Sequence, residues 1–179
     1  MSSTIPDVQT RIGKAWGALN NLDVIWNSSL PNSLKRNFFH DDAVESVLVY
    51  GATSWTLTKS LTKTLDGCYT RMLRAALNVS WKHYLTNKEL YGPLTPISTT
   101  IRDRRLRFAG HCYRAKEELA SDVILWQPNH GERSRGRPAK TYVDQLVEDI
   151  GCNSENLPAL MINRDSWKEC VKCRASSTR

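Results

Sequence analysis

The chain has 179 residues, is 40% hydrophobic, and carries 25 Lys/Arg against 18 Asp/Glu for a formal net charge of +7. That length and apolar content suit one sizeable core or two small ones and exclude a disordered chain, while the basic balance points to an anionic partner. No apolar run reaches the roughly 18 residues of a membrane span, and the start, MSSTIPDVQTRIGK, lacks the apolar core of a signal peptide. Five scattered cysteines (Cys68, Cys112, Cys152, Cys170, Cys173) make no disulfide framework. The expectation is a soluble intracellular protein, nuclear or cytoplasmic.

From Asp7 to about Trp26, Val8, Ile12, Ala15, Trp16, Leu19, Leu22 and Trp26 recur at three- and four-residue steps, which predicts an amphipathic helix. The NSSLPNS stretch breaks it, and a second helix is expected from Pro31 to about Tyr50, turning at Gly51. The Val, Leu and Tyr content of AVESVLVYGATSW also suits a buried strand. After Trp55, Leu57, Leu61, Leu65, Tyr69, Met72, Leu73, Ala76 and Leu77 again follow helical spacing, with Gly67 a tolerated cost. Thr86 and Glu89 have the spacing of a capping box. Pro93 and Pro96 then mark a seam, so the expected organisation is mainly α: a helical bundle in two small lobes, 1–92 and 93–179, with room for a few short strands.

The positive charge gathers in 101–140, where ten Lys/Arg face five Asp/Glu, and Phe108, Tyr113 and Trp126 lie among them. Such a mixture suits a surface that holds phosphates and stacks on bases. On a wheel of 100° per residue, a helix over 97–115 places Leu94, Ile97, Ile101, Phe108 and Cys112 on a core side. Thr100, Asp103, Arg104, Arg107, His111 and Arg114 gather within about a third of the circumference on a polar side, which is either a solvated face or one that contacts phosphate. An apolar patch at Leu119, Val123, Ile124, Leu125 and Trp126 precedes the loop QPNHGERSRGRPAK. TYVDQLVEDIG resumes helical spacing, and its acids suit a basic neighbour. NRDSWKECVKCRASSTR reads as a last helix capped by Asn163. The candidate nucleic-acid contacts are Arg104, Arg107, His111 and Arg114 on the helix, with Arg133, Arg135, Arg137 and Lys140 on the loop.

The blocks LVYGATSWTLTKSLTKTLDGCYTRMLRAALNVSW, IRDRRLRFAGHCYRA and RSRGRPAKTYVDQL, with ASSTR at the end, resemble in order and spacing the C-terminal part of the reverse transcriptase of non-LTR (LINE-type) retrotransposons. The likeness runs from about Arg11 to the end. It implies a helical thumb and C-terminal extension that grip an RNA template and the growing DNA, with the rest of the polymerase as a further partner. It also implies that the metal-binding carboxylates belong to a palm upstream of Met1. The chain is then a fragment with no catalytic residue and no cofactor of its own, Mg²⁺ belonging to the missing palm. Two alternatives are a retained host DNA-binding protein and a non-functional relic.

Other constellations carry weaker chemistry. Phe39-His40-Asp41-Asp42 formally fits the Tyr/Phe-x-Asp-Asp pattern, but NSLKRNF before it reads as helix rather than strand, which favours a solvated acid pair. Arg135-Gly136-Arg137-Pro138 resembles the core of an AT-hook, where extended backbone enters the minor groove of A/T-rich DNA. A basic loop touching phosphate is the other reading. Cys170 and Cys173 have zinc-ligand spacing without a second half, which leaves reduced thiols as the default. His111 and Cys112, neighbours on a helix, point about 100° apart and cannot act as a nucleophilic pair. Trp16, Trp55, Trp81 and Trp126 are expected mostly as core anchors, with Trp81, beside Lys82 and His83, the exception.

Overall fold

A computed structural model describes residues 4–40, 44–115, 119–126 and 140–176. Among them are eleven α-helices, three 3₁₀ turns and no strand, so the protein is mainly α and the strand reading falls away over 44–55. The chain divides into two compact units. The first takes in residues up to Gly51 together with Leu57–Thr100, and the second Ala52–Thr56 and the residues from Ile101 onward.

In the first unit, α1 (Thr4–Asn21) is followed by a break at Leu22 and the single turn α2 (Asp23–Trp26), where the sequence predicts one continuous helix. The break frees backbone groups, and the Trp26 indole N–H donates to the Leu19 carbonyl at 2.8 Å from a buried position. Buried Lys35, on α3 (Asn32–Phe38), donates to the carbonyls of Trp26 (2.6 Å) and Ser28 (2.9 Å) and so closes the C-terminal end of α2. The helix expected up to Tyr50 is thus divided as well, into α3 and the short α4 (Glu45–Leu48), before Gly51 turns the chain at φ +74°.

The long helix α5 (Lys59–Ala76) packs against α1, α2, α3 and α6 (Asn87–Tyr91) and buries Leu65, Tyr69, Met72, Leu73 and Ala76 along one stripe. Thr58 caps it, accepting the Leu61 N–H at 3.2 Å. A buried polar cluster joins α4 to α5. Glu45 accepts from the Tyr69 hydroxyl at 2.7 Å and lies 2.6 Å from His40 Nδ1 through the same oxygen. Burial, followed by the Glu45 charge, pushes the Tyr69 phenol far above its ordinary value and keeps it a donor. The capping box at Thr86 forms as its spacing predicts, and the two Thr86 hydrogen bonds hold the Glu89 carboxyl below its ordinary value.

In the second unit, α7 (Ile97–Arg114), which the short α8 (Leu119–Val123) follows in sequence, carries Leu106 and Ala109, beyond its first turn, into a core completed by α9 (Tyr142–Ile150), α10 (Leu157–Ile162) and α11 (Arg164–Ser176). Thr141 and Asp144 form a reciprocal capping box at the start of α9, and Gly151 ends it at φ +71°. Asn163 caps α11 as expected, its side-chain oxygen accepting the N–H groups of Asp165 (3.0 Å) and Ser166 (3.2 Å). Buried Trp167 lies directly over Gly110 and donates its indole N–H to the Leu106 carbonyl at 2.9 Å. A Cβ at position 110 would meet that indole at 2.3 Å, so this approach requires glycine.

The two kinds of helical glycine give opposite expectations. Gly67, in α5, has open space around its missing Cβ, so Gly67→Ala should stabilise the protein by about 0.5–1 kcal/mol through helix propensity. Gly110→Ala should instead destabilise it by about 1–3 kcal/mol, because overpacking against Trp167 outweighs the same propensity gain. Urea unfolding of the two variants beside the parent checks the sign; stabilisation by Gly110→Ala would refute the close approach.

Candidate nucleic-acid interface

The basic face is built on α7. Its first turn follows Pro96, whose carbonyl accepts the Thr99 N–H at 3.0 Å. Asp66, on α5, supplies the cap: its carboxylate accepts the Ser98 N–H at 3.0 Å and the Ser98 hydroxyl at 2.8 Å, satisfying donors that a helix start leaves free. The helix runs unbroken to Arg114, with His111 and Arg114 in the last turn, where cations complement the C-terminal carbonyls.

The buried side of α7 differs from the predicted one, which includes Phe108 and omits Arg105, Leu106 and Ala109. Ile97, Ile101 and Cys112 are buried as expected, but Phe108 is 44% exposed and Arg105 only 1% exposed. The physical reason is that the buried face rotates along the helix. At its start burial centres on Ile97 and Ile101, and beyond them it swings to Arg105, Leu106, Ala109 and Cys112, which moves Phe108 to the rim. Hydrophobicity alone cannot reveal this, since an arginine occupies the core side.

Arg105 is tolerated there because α9 meets it with a carboxylate. Its guanidinium donates to Asp149, which also accepts from Gln145 Nε2 at 2.9 Å. Burial pushes the Asp149 carboxyl up, and Arg105 leads the groups that pull it back. Beside them burial pushes the Tyr142 phenol up to about 12. Among the described residues, Arg105 Nε and the Tyr142 hydroxyl are buried without a hydrogen-bond partner. The acids of α9 thus do meet basic neighbours, Asp149 through Arg105 and Glu148 through Lys140.

The predicted contacts separate into four groups. Arg104, Arg107 and His111 are exposed on one side of α7, and among the described residues none of them joins an ion pair or a side-chain hydrogen bond. The nearest acid in sequence, Asp103, is held by Arg102 through Nε (3.1 Å) and Nη2 (2.9 Å). Arg114 is half-buried and donates to the Met161 carbonyl at 2.8 Å, tying α7 to α10. Lys140 pairs with Glu148. Arg133, Arg135 and Arg137 lie outside the described residues, as do Asp41 and Asp42 and the Arg135–Pro138 segment of the AT-hook reading.

Among the described residues, no three His, Cys, Asp or Glu side chains are grouped to hold a metal ion, and the Cys173 side chain lies outside them. Phe39 is a core residue, its ring 5.2 Å from that of Tyr69, and α3 precedes it as helix rather than strand. No described helix is long and apolar enough to cross a membrane. Of the predicted apolar patch, Ile124 and Leu125 pack on the core of the second unit, whereas Leu119, Val123 and Trp126 are exposed. Trp55 is buried as expected. No family model, curated protein or solved structure matches the chain.

Inward and outward arginines should therefore respond differently to truncation. Asp149→Ala leaves a buried guanidinium unpaired and should cost about 3–5 kcal/mol, and replacing the pair by Arg105→Met with Asp149→Leu should recover most of that loss. Arg104→Ala, on the exposed side, should stay within about 0.5 kcal/mol of the parent. Denaturant unfolding of these variants checks the assignment.

Proposed function

We propose that the chain binds nucleic acid through the exposed face of α7, as a C-terminal piece of a non-LTR retrotransposon reverse transcriptase that steadies template and primer for a catalytic palm carried upstream. The observation that carries this reading is the set Arg104, Arg107 and His111. They are exposed together on one rigid helix and unopposed by an acid among the described residues, while the neighbouring Arg105 is turned inward and neutralised by Asp149. Guanidinium groups spaced along a helix suit the phosphates of a nucleic-acid backbone, where they fix position without reading sequence. The arginines at 133, 135 and 137 extend the same chemistry in the sequence. The order and spacing of the sequence blocks supply the family and the partner; chemistry on nucleotides is assigned to the palm and not to this chain.

Binding of the purified chain to an RNA–DNA hybrid, a DNA duplex and single strands should weaken steeply as salt rises. On duplex DNA, Arg104→Ala with Arg107→Ala should flatten the log–log salt slope by roughly 0.9 for each phosphate that is no longer neutralised. Fluorescence anisotropy across a salt series measures both. A folded chain that binds none of these probes, or a double variant with an unchanged slope, would overturn the proposal.

A further inference from the structure

Phe108 is the residue on this face that phosphate binding leaves unexplained. It lies one helical turn from Arg104 and from His111 and next to Arg107, so the Cβ atoms of its turn neighbours stand about 5–6 Å from its own. The residue is 44% exposed, and its ring makes no contact with another aromatic side chain among the described residues. A phenyl ring has no group to donate to phosphate or to read a base edge. What it offers is a flat apolar face, and the groups around it are cationic or hydrogen-bond donors, with Asp103 occupied by Arg102.

That combination matches one chemical partner well. In a duplex, base faces are covered by their neighbours, and a helix side chain reaches only phosphates and groove edges. In an unpaired strand each base can leave the stack and lie on an aromatic ring while cations beside the ring hold the flanking phosphates. Resting on the nucleic-acid reading above, we infer that the Arg104–Phe108–His111 face grips an unpaired strand, RNA or DNA, with Phe108 as the platform for one base and Arg104 and Arg107 beside it on the backbone phosphates. Such an arrangement suits the single-stranded stretch of a template beside its paired region.

The test uses the full chain with Phe108→Ala and Phe108→Trp, a single-stranded oligonucleotide as RNA and as DNA, the same strand with an abasic position in place of each base in turn, and a duplex of equal length. Phe108→Ala should weaken single-strand binding roughly tenfold, which lies within the range for removing one stacked base. Its salt slope should stay that of the parent, because every cation that neutralises a phosphate remains in place, and duplex affinity should change less than about twofold. Phe108→Trp should retain parental affinity for the single strand, and an abasic position at the right place should cost the parent about as much as Phe108→Ala does. Equal losses on single strand and duplex, or indifference to every abasic position, would overturn stacking while leaving phosphate binding in place. Failure of the folded parent to bind any strand would overturn both proposals together.

Discussion

The indole of Trp167 rests on α7 at the point where residue 110 has no side chain, and the arrangement of the second unit follows from that approach. A buried tryptophan needs a partner for its N–H. It finds one in the carbonyl of Leu106, one turn before Gly110, which only a glycine surface leaves within reach. With the indole seated, Val171 one turn further along α11 joins the same core as Leu106, Ala109, Leu146 and Met161. Arg114 adds a second tie, from the end of α7 to the Met161 carbonyl at the end of α10. The rotation of α7 about its own axis is thereby set, and with it the choice of which arginines face in and which face out.

Each unit also keeps a few polar groups inside, and each of these joins elements that apolar packing alone would leave free to slide. Lys35 reaches two carbonyls at the end of α2, Glu45 joins α4 to α5 through Tyr69, and Arg105 joins α7 to α9 through Asp149. Burying such groups is costly unless they are paired, so each pairing penalises alternative placements of its helix more than it adds to stability. Among the described residues, Glu45 Oε1 in the first unit and Arg105 Nε in the second are buried without a hydrogen-bond partner.

Features set by a few neighbouring residues were legible in the sequence. The Thr86–Glu89 capping box, the Asn163 cap, the stripe of α5 and the helix over NSLKRNF need only spacing and local hydrogen bonding, and the structure has them all. Three features were not legible, because distant partners decide them. The break at Leu22 is closed by Trp26 and Lys35 from beyond the helix. The exchange of Arg105 for Phe108 on the buried side of α7 depends on Asp149, forty-four residues away. The cap at Ser98 comes from Asp66 on another helix. For the candidate site, the wheel found Arg104, Arg107 and His111 on the exposed side, but it counted Phe108 with the core side, because it assumed that the apolar side and the buried side coincide.

That coincidence fails for a reason that bears on the charge of the surface. At physiological ionic strength the field of an exposed charge fades over about 8 Å, so an acid must be a close neighbour to cancel a basic face. Among the described residues, Asp103 is engaged by Arg102, Asp149 by Arg105 and Glu148 by Lys140. Placing one arginine of the cluster inside therefore does two things at once. It draws Asp149 into a buried pair, and it leaves the rim position to an aromatic ring, so the outward side of α7 keeps its positive charge and gains an apolar centre. A run of arginines that all faced solvent would give only a charged stripe, whereas this division gives charge arranged around a ring.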